Sequence, residues 1–292
     1  MIQSVGMFTF SGTGNTKVVA GLLEEQFREN GLEVEARRME DILKSGARVD
    51  VGSHDLIGIG HPIHGFGAPR IVYDFIDVLP PGEGLRTFVF KTAADFIALN
   101  NGASVRAIRQ LRCKGYDVFY DRIICMPSNW AVGYDDELAK QLCDTAVAKA
   151  KHMCGEILVG RERLPRIGVI ARVVIRLVGI GEDFGARCFG KELRVSDECI
   201  ECDKCVNNCP TGNIHREDGR ITFGWDCIFC MRCIYDCPQQ AISPRLTKFC
   251  VLKDGYDIHS IIDDPTLKGN YVTEETRGYF KRFLRYVQQA GL

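Results

Sequence analysis

Along the first 158 residues, short unbroken apolar runs alternate with stretches where apolar side chains recur every three or four positions. Unbroken runs suit strands buried on both faces of a parallel sheet, and the longer spacing suits helices with one face on a core. Strands are predicted over residues 2–10, 54–60, 87–90 and 116–126, and the alternating stretch 32–37 gives a fifth nearer the sheet edge. Asn15 to Asn30 reads as a helix, with Val18, Val19, Leu22, Leu23 and Phe27 on one broad face and Gly31 as its stop. Further helices are expected near 68–78, 102–113 and 135–158. This alternation predicts an α/β fold, a doubly wound five-stranded parallel sheet whose ligand site lies at the carboxyl ends of its strands.

Beyond residue 158 the pattern changes. Residues 167–178 are strongly apolar but too short, and too interrupted by Arg172 and Arg176, to span a bilayer. A helix packed between domains or in a dimer interface is favoured there over one lying on a membrane surface. Residues 192–245 contain an internal repeat with an offset of 28 positions, which pairs Cys199 with Cys227, Ile200 with Ile228, Val206 with Ile234 and Ile214 with Ile242. Between the copies, Asp218-Gly219 with apolar flanks reads as a β-hairpin turn. Near the end, Tyr279, Phe280, Phe283, Leu284 and Val287 fall at helical spacing within 274–289, which suggests a helix docked on the core.

The repeat carries the strongest chemistry. Its two runs are Cys199-x2-Cys202-x2-Cys205-x3-Cys209-Pro210 and Cys227-x2-Cys230-x2-Cys233-x3-Cys237-Pro238. Two-residue gaps let a tight loop point three thiolates at one iron–sulfur cube. The proline after the fourth cysteine redirects the chain, so that cysteine reaches the other cube. The expected sets are Cys199, Cys202, Cys205 and Cys237 for one, and Cys227, Cys230, Cys233 and Cys209 for the other. Structural zinc is the competing reading, since CxxC pairs also build tetrahedral zinc sites. Two complete runs, each closed by Cys-Pro, fit the cluster template better. The segment resembles a bacterial-type ferredoxin carrying two [4Fe-4S] clusters, a small α+β domain.

After the first strand stands Ser11-Gly12-Thr13-Gly14-Asn15-Thr16. Two glycines allow a tight bend, and the hydroxyls, Asn15 and the following helix N-terminus supply donors for an anion. It is neither a P-loop nor a dinucleotide fingerprint, because no Gly-Lys-Ser/Thr follows and the third glycine is missing. The loop resembles the FMN-phosphate loop of flavodoxins. That resemblance implies that Pro62, Ile63, His64, Gly65 and Phe66 after the third strand, and Thr92, Ala93 and Ala94 after the fourth, flank the flavin ring, with Trp130 as a further cover. The acidic second and third loops of short-chain flavodoxins are absent. Taken whole, the chain resembles flavodoxin–ferredoxin fusion proteins. Its expected parts are a flavodoxin-like FMN-binding domain (1–158), a linker helix (159–191), a 2[4Fe-4S] ferredoxin domain (192–245) and an extension (246–292).

Composition narrows the function. A net charge of −1 argues against a general nucleic-acid binder. Fourteen cysteines suggest a reducing, cytoplasmic setting or metal sites. Cys113, Cys125, Cys143, Cys154, Cys188 and Cys250, outside the runs, are expected as free thiols. No basic leader with a cleavage site is recognisable at the start. The favoured reading is an electron-transfer protein passing electrons between FMN, two clusters and protein redox partners, in an anaerobic setting, with a homo-oligomer compatible. Two others compete: a flavoenzyme reducing a small molecule with His61, His64 or Asp95 as acid or base, and a cluster-based redox sensor that docks a partner.

Overall fold

The computed structural model describes residues 2–289. Its first half is a sheet of β1 (Ser4–Thr9), β2 (Glu33–Arg38), β3 (Leu56–Pro62), β4 (Arg86–Ala93) and β5 (Asp117–Cys125), all parallel in the order β2-β1-β3-β4-β5. This is the flavodoxin-like doubly wound order, with its switch point between β1 and β3. Side chains alternate across the sheet. Val5, Met7, Phe88 and Phe90 join α1 (Asn15–Glu29) and α6 (Asp136–Leu158) on one face. Phe8, Phe10, Ile57 and Val89 join α2 (Met39–Ser45), α3 (Arg70–Val78) and α5 (Val105–Cys113) on the other. Glycine is required within β3: a Cβ on Gly58 or Gly60 would come 2.3 or 2.2 Å from the rings of Phe88 and Phe90.

Three elements depart from the sequence reading. The short helix α2 is unforeseen, since its apolar side chains Met39 and Ile42 are too few to show a period. The helix expected at 102–113 is α5, starting at Val105, and an unforeseen single turn, α4 (Ala98–Asn101), precedes it. The apolar linker forms a longer helix, α7 (Val169–Glu192), that runs through Gly179, Gly181 and Gly185 to the ferredoxin repeat.

The repeat holds β6 (Leu193–Val195), α8 (Lys204–Asn208), β7 (Ile214–Glu217), β8 (Arg220–Phe223), α9 (Arg232–Tyr235) and β9 (Ile242–Pro244). Strands β6 and β9 pair antiparallel, as do β7 and β8, where Asp218 and Gly219 both take positive φ. Phe189, Leu193, Ile214, Phe223, Ile234 and Ile242 form its core. The extension adds α10 (Ile258–Asp263) and α11 (Phe283–Gln288) in place of one helix from 274. Phe283 is fully buried against Cys125, Leu138 and Leu142, so the tail packs on the first domain. Of the cysteines outside the runs, Cys125, Cys143, Cys154 and Cys250 are buried, while Cys113 and Cys188 are exposed.

Candidate functional site

Two spaces lie within the repeat domain. One is lined by Cys199, Cys202, Cys205 and Cys237 together with Val195, Ile200, Ile221 and Ile242. The other is lined by Cys209, Cys227, Cys230 and Cys233 with Phe189, Ile214, Phe223 and Ile228. Among the described residues, no group of three or more His, Cys, Asp or Glu closes on a single metal ion. Each lining takes three cysteines from one run and the fourth from the other, the pairing expected of two iron–sulfur cubes.

The two cysteine loops repeat their backbone as well as their sequence. Glu201 and Asp203 take φ of 56° and 54°, and Phe229 and Met231, 28 positions on, take 56° and 61°. Non-glycine residues in that region are strained and persist when their surroundings fix them. The fourth cysteines correspond too. Asn213 N–H donates to Cys209 Sγ at 3.2 Å and Ala241 N–H to Cys237 Sγ at 3.3 Å. Hydrogen bonds to ligand sulfurs are one means of setting a cluster's potential. Burial pushes the Cys227 and Cys230 thiols up to about 12 and about 11, because a charged sulfur there would lose its water.

At the carboxyl end of β1, Gly14 takes φ 105° and leads into α1. Ser11 Oγ accepts from Gly14 N–H at 3.2 Å, and Thr13 Oγ1 accepts from Asn129 Nδ2 at 2.5 Å. Both hydroxyl hydrogens therefore stay free to donate outward. Asn15 donates to the Pro127 carbonyl at 2.9 Å and accepts from Tyr256. Thr16 is buried, its hydroxyl 2.7 Å from that of Thr92, which ties this loop to the end of β4. Ile63 N–H donates to Thr92 O at 2.9 Å. His64 and Gly67 bond each other's backbone, with Gly65 and Phe66 at positive φ between them. Ala93 O accepts from Met126 N–H, and Ala94 O from the Tyr134 hydroxyl at 2.7 Å. Trp130 is half exposed and meets Phe229 edge-on, with centroids 6.4 Å apart. A loop rich in hydroxyl donors and free of carboxylates, at a helix N-terminus beside the switch point, fits the phosphate of FMN.

The sequence reading missed what joins the two halves. Arg232, between the second-run cysteines, donates to the carbonyls of Ser11, Gly12 (3.2 Å) and Asn208 (3.0 Å), and to Glu40 at 2.7 Å. A Cβ on Gly12 would come 2.5 Å from the Cys230 carbonyl, so the predicted phosphate loop lies directly against a predicted ligand loop. Tyr235 donates to Asn129 O at 3.0 Å, and Arg70 pairs with Asp226 at 3.2 Å. Only the position of Arg232 as a cation inside the cysteine run could have flagged it.

His64 and Glu182 also meet at this junction. Burial lowers His64 to about 4, so the ring is neutral near pH 7 and its Nδ1–H donates to Ile228 O at 3.2 Å. Burial, with Asp183 nearby, pushes the Glu182 carboxyl up to about 7. Such a group stays protonated longer in the folded chain. Its contribution is whole below the unfolded value of about 4.3 and is lost as pH rises through 7. Glu182→Gln is expected to remove this loss and flatten the decline in stability between pH 5 and pH 8 by on the order of 2 kcal/mol. Denaturant melts of both proteins across that range check it; parallel curves would refute the assignment.

A family model described as a 4Fe-4S dicluster domain matches residues 191–238. Solved structures similar to the first domain include oxidised flavodoxin 2 from Bacillus cereus, 19% identical with a TM-score of 0.41, covering 53% of this chain and 98% of that one. The two-electron reduced flavodoxin of Megasphaera elsdenii is 26% identical with a TM-score of 0.34, covering 41% and 84%. General stress protein 14 of Treponema denticola, solved in complex with FMN, is 11% identical with a TM-score of 0.36, covering 54% and 96%. No curated protein matches the sequence. The strand order β2-β1-β3-β4-β5 gives the first domain a flavodoxin-like α/β fold, and the family match with the paired cysteine linings gives the repeat as a 4Fe-4S dicluster domain.

Proposed function

We propose that the protein is an electron carrier that links FMN to two [4Fe-4S] clusters and passes electrons to and from protein redox partners. The observation that carries this reading is the contact of the Cys230 backbone and Arg232 with the Ser11–Gly12 loop. It supports an order of sites that runs from the flavin loops to the Cys209/Cys227/Cys230/Cys233 set and then to the Cys199/Cys202/Cys205/Cys237 set. When bound, FMN exchanges one or two electrons and each cube one, so the fusion connects two-electron to one-electron chemistry.

The chain's own task is binding, spacing and exclusion of water. Ser11, Thr13 and Asn15 hold the phosphate, and the loops after β3 and β4, latched through Ile63 and Thr92, frame the ring. Phe189 and Phe229, edge-on at 4.5 Å, wall the inner cysteine set. The side chains that could serve a small-molecule reductase as acid or base are buried or engaged elsewhere. His61 is fully buried, His64 bonds Ile228, and Asp95 pairs with Arg282 at 2.8 Å. This favours a carrier over an enzyme.

Protein purified without oxygen is expected to hold about eight iron, about eight sulfide and about one FMN per chain. Thr13→Ala with Asn15→Ala should weaken FMN binding about 100-fold, since two hydrogen bonds to a charged group are lost. Fluorescence titration of the flavin-free protein measures it. Unchanged affinity would remove the phosphate role from this loop.

A further inference from the structure

Helix α7 turns a long apolar face to solvent. Val169, Ile170, Val173, Leu177, Ile180 and Phe184 recur at helical intervals, with Ile170 83%, Leu177 63% and Phe184 67% exposed. At 1.5 Å per residue the stripe is roughly 22 Å long. The fold is held by other positions on the helix: Ile175 lies on Gly102, Glu182 lies on Gly65, and Ala186 and Phe189 are buried. The sequence expectation of a helix packed between domains is thus met by one side only. Exposed apolar surface continues past the stripe's C-terminal end. Trp225 sits by Lys191, 5.6 Å from its Nζ, and the Leu246 amide donates to Glu192 at 2.7 Å. Apolar patches beyond a few hundred Å² mark an interaction surface.

Charge identifies the occupant. Between Glu162 and Glu182 the chain has Arg163, Arg166, Arg172 and Arg176 and no acidic residue. Arg166, Arg172 and Arg176 are exposed, and the last two stand one turn apart on α7 beside the stripe. An apolar stripe edged by arginines suits an anionic bilayer surface: the aliphatic and aromatic side chains sink to the acyl boundary while the guanidiniums meet phosphate headgroups. Among the described residues no helix is long and apolar enough to cross a membrane, so the contact is peripheral. A second copy seated on the stripe would bury the apolar face but set Arg172 and Arg176 against like charges.

We propose that α7 seats the protein on an anionic membrane surface, whatever the cofactor content of the first domain. The test uses the full chain, purified with its iron, in co-sedimentation with phosphatidylcholine vesicles with and without phosphatidylglycerol. Binding is expected with phosphatidylglycerol, to fall steeply with salt, and to be weak on phosphatidylcholine alone. Arg172→Gln with Arg176→Gln should reduce partitioning about 30-fold. Leu177→Asp, at an exposed position that leaves the core intact, should abolish it without changing the visible spectrum. Absence of phosphatidylglycerol-dependent sedimentation would overturn the proposal. So would a dimer in sedimentation equilibrium that Leu177→Asp dissolves while vesicle binding is unaffected.

Discussion

Cys230→Ala is expected to cost the protein one of its two four-iron centres, leaving about four iron and about four sulfide per chain. It should also cut the flavin domain off from the centre that remains. Cys230 belongs to the set that abuts Gly12, whereas Cys202 belongs to the set enclosed by Val195, Ile221 and Ile242 on the far side. Cys202→Ala should lose the same amount of iron yet leave rapid exchange between the flavin domain and the inner set. The two variants thus match in metal content and differ in kinetics, which flash reduction of the flavin followed by cluster bleaching would resolve. Equal rates in both would refute the order of sites. Retention of eight iron in either would refute the ligand sets. Some loss of stability accompanies both changes, because metal binding in a domain this small supplies part of its folding energy.

The parts that could be read from sequence share one physical property: they are local. Two cysteine runs of eleven residues each, an apolar strand ending in Ser11-Gly12-Thr13-Gly14-Asn15-Thr16, and an Asp218-Gly219 turn each specify their structure within a short stretch of chain. What escaped is long-range or rests on tertiary override. Arg232 meets Ser11 and Gly12 across more than two hundred positions, and no pattern along the chain encodes that. Helix α7 runs through Gly179, Gly181 and Gly185 although each glycine costs a helix about 1 kcal/mol relative to alanine. It continues because Ala186 and Phe189 pack on the cluster domain, and Gly190 must be glycine there: its Cβ would lie 2.4 Å from that of Cys227. The apolar residues of α7 were legible as a helix, but not which of them would face outward, since periodicity alone does not say what covers a face.

Arg232→Ala is expected to destabilise the protein by about 3 kcal/mol, the lower end for removing one partner of a buried ion pair. The Arg232 side chain is 8% exposed and that of Glu40 2%, so the substitution leaves the buried carboxylate with Arg38 alone and strands the carbonyls of Ser11, Gly12 and Asn208. Arg38, 2.6 Å from the same carboxylate oxygen, keeps the loss from reaching the upper end. For a chain of this size that energy lowers the melting temperature by roughly 5 °C. Arg232→Lys keeps the charge but not the planar fork that reaches several acceptors at once, and should fall between the two. The combination Arg232→Met with Glu40→Gln removes both charges and should recover part of the loss, because the cost lies in the unpaired ion more than in the missing attraction. If the double variant melts no higher than Arg232→Ala, the carbonyl contacts dominate, and Arg232 acts mainly as a clamp between the phosphate loop and the inner cysteine loop. Iron content measured on each variant separates a loosened junction, which keeps about eight iron per chain, from a damaged cluster site, which does not.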